Sequence, residues 1–344
     1  MKLKVFAILL AFIAGTAPIL VLIAFTNKLK NQSNGFDRMI NNSVLKPEKI
    51  IELDEYGYYF AGDSKTNLVL GNYQLGNRIL EIDSSLNDLS LSSFILPSSV
   101  NWSTIELSIN DCQLIASDRM TGKIFAGVSG NFSNSLLVNN SFKFFSLWTG
   151  CNGSIIIKTP DSALQQNVLA LINFKTGQAI KSPALVKQNE GFFSVDGQLV
   201  NYLSDKYLYV YRYRNHVLIM DSLLNTLSVF KTIDTASQTK NTVESYASGK
   251  KLGFANPSVT VNKFACITGK YLIINSGIKA DNELLNTFRE NAIFDVYDVE
   301  TKKYLNSFYI STKQLGSVKN IRAIGKSLFI LFEKKHLAKY HLKL

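Results

Sequence analysis

Val5 to Phe25 is an unbroken apolar run, VFAILLAFIAGTAPILVLIAF, with no charge over 21 residues. At a rise of ~1.5 Å per residue it makes a helix of ~31 Å, which matches a hydrocarbon core of ~30 Å. The pattern predicts a transmembrane anchor within residues 1–30. A cleaved signal peptide is the rival, with Val5 to Ile13 as its apolar region and Gly15-Thr16-Ala17 as the small-residue site. Against cleavage, Pro18 would follow the scissile bond, and Ile19 to Phe25 carry the apolar run onward. Lys2 and Lys4 precede the run, as in a signal-anchor. The expected arrangement is a single pass through the inner membrane with the C-terminal domain in the periplasm. Residues 31–46 are polar and aperiodic, which reads as a stalk.

Beyond Pro47 one theme recurs: a short β-rich run, a polar turn, then another short run. ILEIDSSLNDLSLSSF (Ile79 to Phe94), LIASDRMTGKIFAGV (Leu114 to Val128) and LALINFKTGQAIKS (Leu169 to Ser182) show it, as do VLIMDSLLNTLSVF (Val217 to Phe230) and IFDVYDVETKKYLNSF (Ile293 to Phe308). Each reads as a hairpin with Asp, Asn, Gly, Ser or Thr at the turn. Further apolar strands precede them at Leu68 to Leu70, Ile105 to Ile109, Ser154 to Ile157, Tyr207 to Tyr213 and Tyr271 to Asn275. With a terminal unit from Asn320 to Leu344, the pattern predicts an all-β domain over residues 47–344, a single β-propeller of six blades. The segment from Lys49 to Phe60 supplies a strand to close the ring. The markers Asp83, Asp118, Phe174, Asp221 and Asp298 are separated by 35, 56, 47 and 77 residues, so five or seven blades stay open. Thr235 to Pro257 reads as a large loop, and Asp281 to Arg289 as a short helix within another.

The formal net charge of +11 changes this picture little. Lys2, Lys4, Lys28 and Lys30 supply four of the positives and residues 1–30 hold no acid, so +7 remains for the rest. In an exported domain that balance reads as a solvated, lipid-facing surface and not as a nucleic-acid site. Cys112, Cys151 and Cys266 show no metal-ligand spacing. A Cys112–Cys151 disulfide and three buried apolar thiols are both open readings.

Tyr207, Tyr209, Tyr211 and Tyr213 alternate along one strand, opposite Leu208 and Val210. Packing between adjacent blades explains them better than an aromatic ligand platform does. Arg212, Arg214 and Asn215 sit where a strand end meets loops, and Thr232-Ile233-Asp234-Thr235 offers hard oxygens near the same end. The competing explanation is a turn-forming Asn beside solvated arginines, with an Asp that bonds to backbone amides. Arg212, Arg214, Asn215, Asp234 and Thr235 are therefore the candidate binding residues. His216, His336 and His341 form no metal motif, and no nucleophile elbow, P-loop or dinucleotide fingerprint occurs. No cofactor is expected.

The aromatic strand Tyr207, Tyr209 and Tyr211, the turn Arg214-Asn215 and the terminal Thr232-Ile233-Asp234-Thr235 resemble the core segment of membrane-anchored, propeller-like proteins of Bacteroidetes-type bacteria. The match covers about 30 residues from Tyr207 to Thr235, and the remainder is similar only in layout. That resemblance implies a role in envelope redox or export beside a membrane protein, and it implies no catalytic residue. The expected function is a non-enzymatic, membrane-tethered propeller that binds a protein or polymer partner. The alternative is a propeller enzyme or redox subunit with a pocket at its central channel.

Overall fold

The computed structural model describes residues 15–18, 33–64, 67–95, 104–110, 113–128, 131–139, 143–150, 153–173, 176–239, 243–246, 251–255 and 258–343. The expected anchor lies outside them except for 15–18, which are helical, and so do Cys112 and Cys151. Among the described residues no helix is long and apolar enough to cross a membrane.

Two short strands come first, β1 (Ile40–Val44) and β2 (Lys49–Glu52). Antiparallel runs of consecutive strands follow. The first is β3 (Tyr58–Ser64), β4 (Asn67–Asn72), β5 (Arg78–Asp83) and β6 (Leu89–Ser93); the second is β7 (Glu106–Asn110), β8 (Gln113–Asp118), β9 (Lys123–Val128) and β10 (Asn131–Asn139). Next come β11 (Ser146–Thr149), β12 (Ile155–Asp161), β13 (Gln166–Ile172) and β14 (Ala179–Ser182), then β15 (Gly197–Leu203), β16 (Lys206–Tyr211), β17 (His216–Asp221) and β18 (Thr226–Lys231). The segment expected as a large loop holds the two-stranded β19 (Val243–Tyr246) and β20 (Lys251–Phe254). A further run is β21 (Asn262–Thr268), β22 (Tyr271–Ser276), β23 (Asn291–Asp298) and β24 (Lys303–Ser311), with α1 (Leu285–Glu290) between β22 and β23. The last is β25 (Val318–Ile324), β26 (Ser327–Phe332) and β27 (His336–His341), which β2 completes by pairing antiparallel with β27.

Sequence pattern explains the middle strands. In β16 every residue after Lys206 is buried, because each face of the strand meets a neighbouring sheet. Tyr207, Tyr209 and Tyr211 pack with Ile156 and Leu169 of the preceding run. Leu208 and Val210 pack with Ala265, Leu272 and Ile274 of the following one. An aromatic side chain of this kind buries roughly 150–250 Å². At about 25 cal/mol per Å² that is roughly 4–6 kcal/mol, before entropy is subtracted. Outermost strands such as β6 expose alternate leucines instead.

Turn chemistry is equally local. Asp83-Ser84-Ser85-Leu86-Asn87 and Asp221-Ser222-Leu223-Leu224-Asn225 are the same turn written twice. In each the aspartate accepts the amide four residues on, from Asn87 at 2.6 Å and from Asn225 at 2.8 Å. Leu86 and Leu224 adopt left-handed φ values of 58° and 64°. That conformation is costly for leucine, and burial of both side chains offsets it.

The first strands of the runs neighbour one another. β25 lies beside β3, β3 beside β7, β7 beside β11, β15 beside β21, and β21 beside β25. The Asn201 side-chain amide of β15 donates to the Thr149 carbonyl of β11 at 3.1 Å. Gly62 permits the closest approach, since a Cβ there would stand 2.0 Å from the Ile109 carbonyl oxygen. The molecule is an all-β, propeller-like fold around a central channel.

Residues 33–45, expected within the polar stalk, dock on the fold. β1 adds in parallel to the outer edge of β24, with Ile40 opposite Ser307 and Val44 opposite Tyr309. Arg38 is buried against Asp295 and Glu283, each of them buried as well. A tertiary ion pair of this kind leaves no periodic trace in sequence.

Candidate binding site at the channel mouth

A cavity of about 410 Å³ occupies the channel, lined by residues of β3, β7, β11, β15, β21 and β25. One face of the molecule carries the connections that lead into these strands, and it forms the mouth. A second cavity, of about 430 Å³, lies on that face between the β3 and β25 runs. Tyr59, Tyr73 and Asn320 line both.

Tyr59 is fixed first. Its hydroxyl donates to the Leu107 carbonyl at 3.1 Å and accepts from the Leu107 amide at 2.7 Å. Gly71 leaves space for its ring, because a Cβ there would come within 2.4 Å of it. Tyr73 follows β4 and stacks on Tyr59 with centroids 4.3 Å apart and an interplanar angle of 30°. Tyr73 and Tyr56 keep more than half of their surface exposed, at 53% and 58%. The Lys335 ammonium sits 5.2 Å from the centre of the Tyr56 ring. The arrangement is an aromatic shelf beside a channel.

Glu106, at the start of β7, supplies the acid. Burial pushes its carboxyl above the usual glutamate value, while nearby Arg119 and a hydrogen bond from the Tyr73 hydroxyl act in the opposite direction. The channel lining also includes Gln198, Asn201, Asn320 and Arg322. Burial also pushes the Cys266 thiol up to about 12, so it stays a thiol at neutral pH.

The residues singled out from sequence fall into two groups. Arg212 stands on the mouth face, where its Nε donates to Asp196 Oδ2 at 2.9 Å and its Nη1 to the Lys263 carbonyl at 3.3 Å. Asp196 also pairs with Lys158. The second group is knitted into a turn. Asn215 Nδ2 donates to the Asp234 carbonyl at 2.6 Å, and Asp234 accepts from Thr232 Oγ1 at 2.5 Å and from the Ala236 amide at 3.0 Å. Burial raises the Asp234 carboxyl, against those hydrogen bonds. Arg214 is buried with its guanidinium 3.6 Å from the Tyr211 ring centre, and its Nη2 donates to the Val186 carbonyl at 3.0 Å. The Thr235 hydroxyl donates to the Asn34 carbonyl.

Sequence reasoning passed over Tyr56, Tyr73 and Glu106. The available signal was aromatic residues within turn-rich segments, EYGYYF and GNYQLGN, where polar side chains are the norm. The histidines stand on β17 and β27, which do not line the channel.

No protein-family model matches the chain, and no curated protein sequence matches it. Solved structures do. Virginiamycin B lyase from Staphylococcus aureus, in a catalytically inactive form with quinupristin, aligns with a TM-score of 0.50 at 12% identity, over 86% of this chain and 99% of its own. BamB from Moraxella catarrhalis aligns with a TM-score of 0.43 at 11% identity, over 87% of this chain and all of its own. At such identities the lyase likeness is one of fold, and it agrees with the propeller-like arrangement of the sheets.

Proposed function

We propose that this chain is a non-enzymatic, six-bladed propeller, tethered to the inner membrane by residues 1–30, that binds a protein or polymer partner in the periplasm through its channel mouth. The antiparallel runs support the blade number, with β2 as the strand that completes the last blade. The resemblance around Tyr207 to Thr235 adds a role within an envelope redox or export system. The observation that carries the binding role is the exposed Tyr56 and Tyr73 pair beside two cavities that share lining residues, since tyrosine is enriched among the residues that anchor binding energy.

The test is a photo-crosslinking amino acid placed at Tyr56 in the full-length protein in its own membranes, with Leu223 on the opposite face as control. Adducts at residue 56 and none at 223 are expected. Tyr73→Ala should weaken partner capture by about 30-fold, the equivalent of about 2 kcal/mol, while the protein, having lost only the stack on Tyr59 and the bond to Glu106, still unfolds cooperatively. Equal adducts at both positions would remove the mouth from consideration.

One observation favours a channel-centred enzyme instead: the raised carboxyl of Glu106 beside Tyr73. Under that reading Glu106→Gln abolishes turnover of a channel ligand without loss of its binding.

A further inference from the structure

The start of the docked arm is held on the mouth face. The Ser33 hydroxyl donates to Asp281 at 2.6 Å, and the amides of Asn34 and Gly35 donate to the same carboxylate at 2.7 and 2.9 Å. Asn34 Nδ2 donates to the Lys279 carbonyl at 2.8 Å, and Thr235 fastens the Asn34 carbonyl. Asp281 lies in the connection between β22 and β23, at the end where β21 begins, and Thr235 follows β18 at the corresponding end of its run.

Between Phe25, the end of the apolar run, and Ser33 stand residues 26–32. From Phe25 to Ser33 are eight steps, which fully extended at ~3.3–3.6 Å each reach about 29 Å at most. A bilayer spanned by residues 5–25 therefore lies within that distance of the mouth-face rim.

The same face carries exposed apolar side chains around its circumference, among exposed charges such as Arg119, Lys187 and Lys334. Among the described residues, Ile95, Met120, Phe145, Val186, Val259 and Leu284 are exposed in its connections, Ile95 at 90% and Leu284 at 76%. The turns of the opposite face offer Leu203 and Leu223. Tyr56, Tyr73 and Leu164 also lie in mouth-face connections, and the other exposed apolar residues stand on the outermost strands β2, β6, β14 and β18 and on the arm. Side chains of this kind gain by entering the headgroup boundary of a bilayer, and their excess on the mouth face over the opposite one gives that face the preference.

We infer that the mouth face rests on the phospholipid surface, so that the channel opens toward the membrane and the partner it binds is one held in or on that same periplasmic membrane surface. The inference rests on the membrane tether proposed above. Its occupant is the bilayer itself, because a short linker from an apolar run ends on this face.

The test uses the full-length protein in vesicles whose phospholipids carry brominated acyl chains, which quench tryptophan on contact. Single Trp substitutions at Met120, Val186 and Leu284 report the mouth face, Leu223→Trp reports the other, and the two native tryptophans give a constant background. All four positions are exposed, and circular dichroism checks that each variant folds. Loss of the added emission at 120, 186 and 284, with none lost at 223, is the expected result. Equal emission at all four sites in vesicles that carry the protein through flotation and alkaline washing overturns the orientation and leaves the tether standing. Protein that does not float with the vesicles overturns tether and orientation together.

Discussion

Arg38 shows how much one side chain outside any periodic pattern decides. All of its donor nitrogens are engaged: Nε and Nη2 with Asp295 at 2.7 and 3.0 Å, Nη2 also with Ser276 Oγ at 2.8 Å, and Nη1 with the Ile278 carbonyl at 2.9 Å and with Glu283. Tyr309 and Ser307 donate to the same two carboxylates. Removing the cation strands two buried acids, so Arg38→Met should cost about 3–5 kcal/mol, read as a lower urea midpoint. A cost below about 1 kcal/mol would mean that the carboxylates find other partners. Glu106 is the opposite case, an acid held where its charge is disfavoured. A carboxyl raised by folding contributes stability that is present below its unfolded value and is lost as pH rises through the folded value. Glu106→Gln should therefore melt higher than the native chain at pH 7, and the difference should vanish below about pH 4. A lower melting temperature at pH 7 would show that the charged form is the one the Arg119 and Tyr73 surroundings favour.

At the scale of elements, the hairpins were legible because alternation and turn residues coincide. Ile79 to Phe94 becomes β5 and β6, and Val217 to Phe230 becomes β17 and β18. The expected closing segment also acts as foreseen in its first part, since Ile50 and Ile51 lie opposite Ala338 and Leu337. Its second part instead opens the next sheet as β3. A chain that begins at Leu53 lacks β2 and leaves β27 with an unpaired edge. Compared with a chain that begins at Pro47, which lacks Arg38 and the arm equally but keeps β2, it should melt at lower temperature and aggregate. Equal behaviour of the two in a thermal melt monitored by light scattering would deny β2 a closing role. The docked arm was not legible, because β1 is short and its pairing with β24 depends on residues more than 260 positions away in the chain.

For the whole molecule, the mouth site arises from adjacency that no local pattern contains. Tyr73 follows the second strand of one run and Glu106 begins the next run, and they meet because β3 and β7 lie side by side with Gly62 at the contact. Arg212 reaches the same face, while Asn215, Asp234 and Thr235 serve the turn and the arm. Sequence by itself determined the β class, the hairpins, the long apolar run before the domain and the burial of the aromatic strand, expected over Tyr207 to Tyr213 but ending at Tyr211 with Tyr213 in the turn that follows. Those follow from periodicity and turn chemistry, which act over a few residues. Only the tertiary structure decided which strands line the channel, that Tyr59, Tyr73 and Glu106 share a mouth, and that Arg38 fastens the arm. These depend on how sheets pack face to face and on which distant charges are left to pair in the interior.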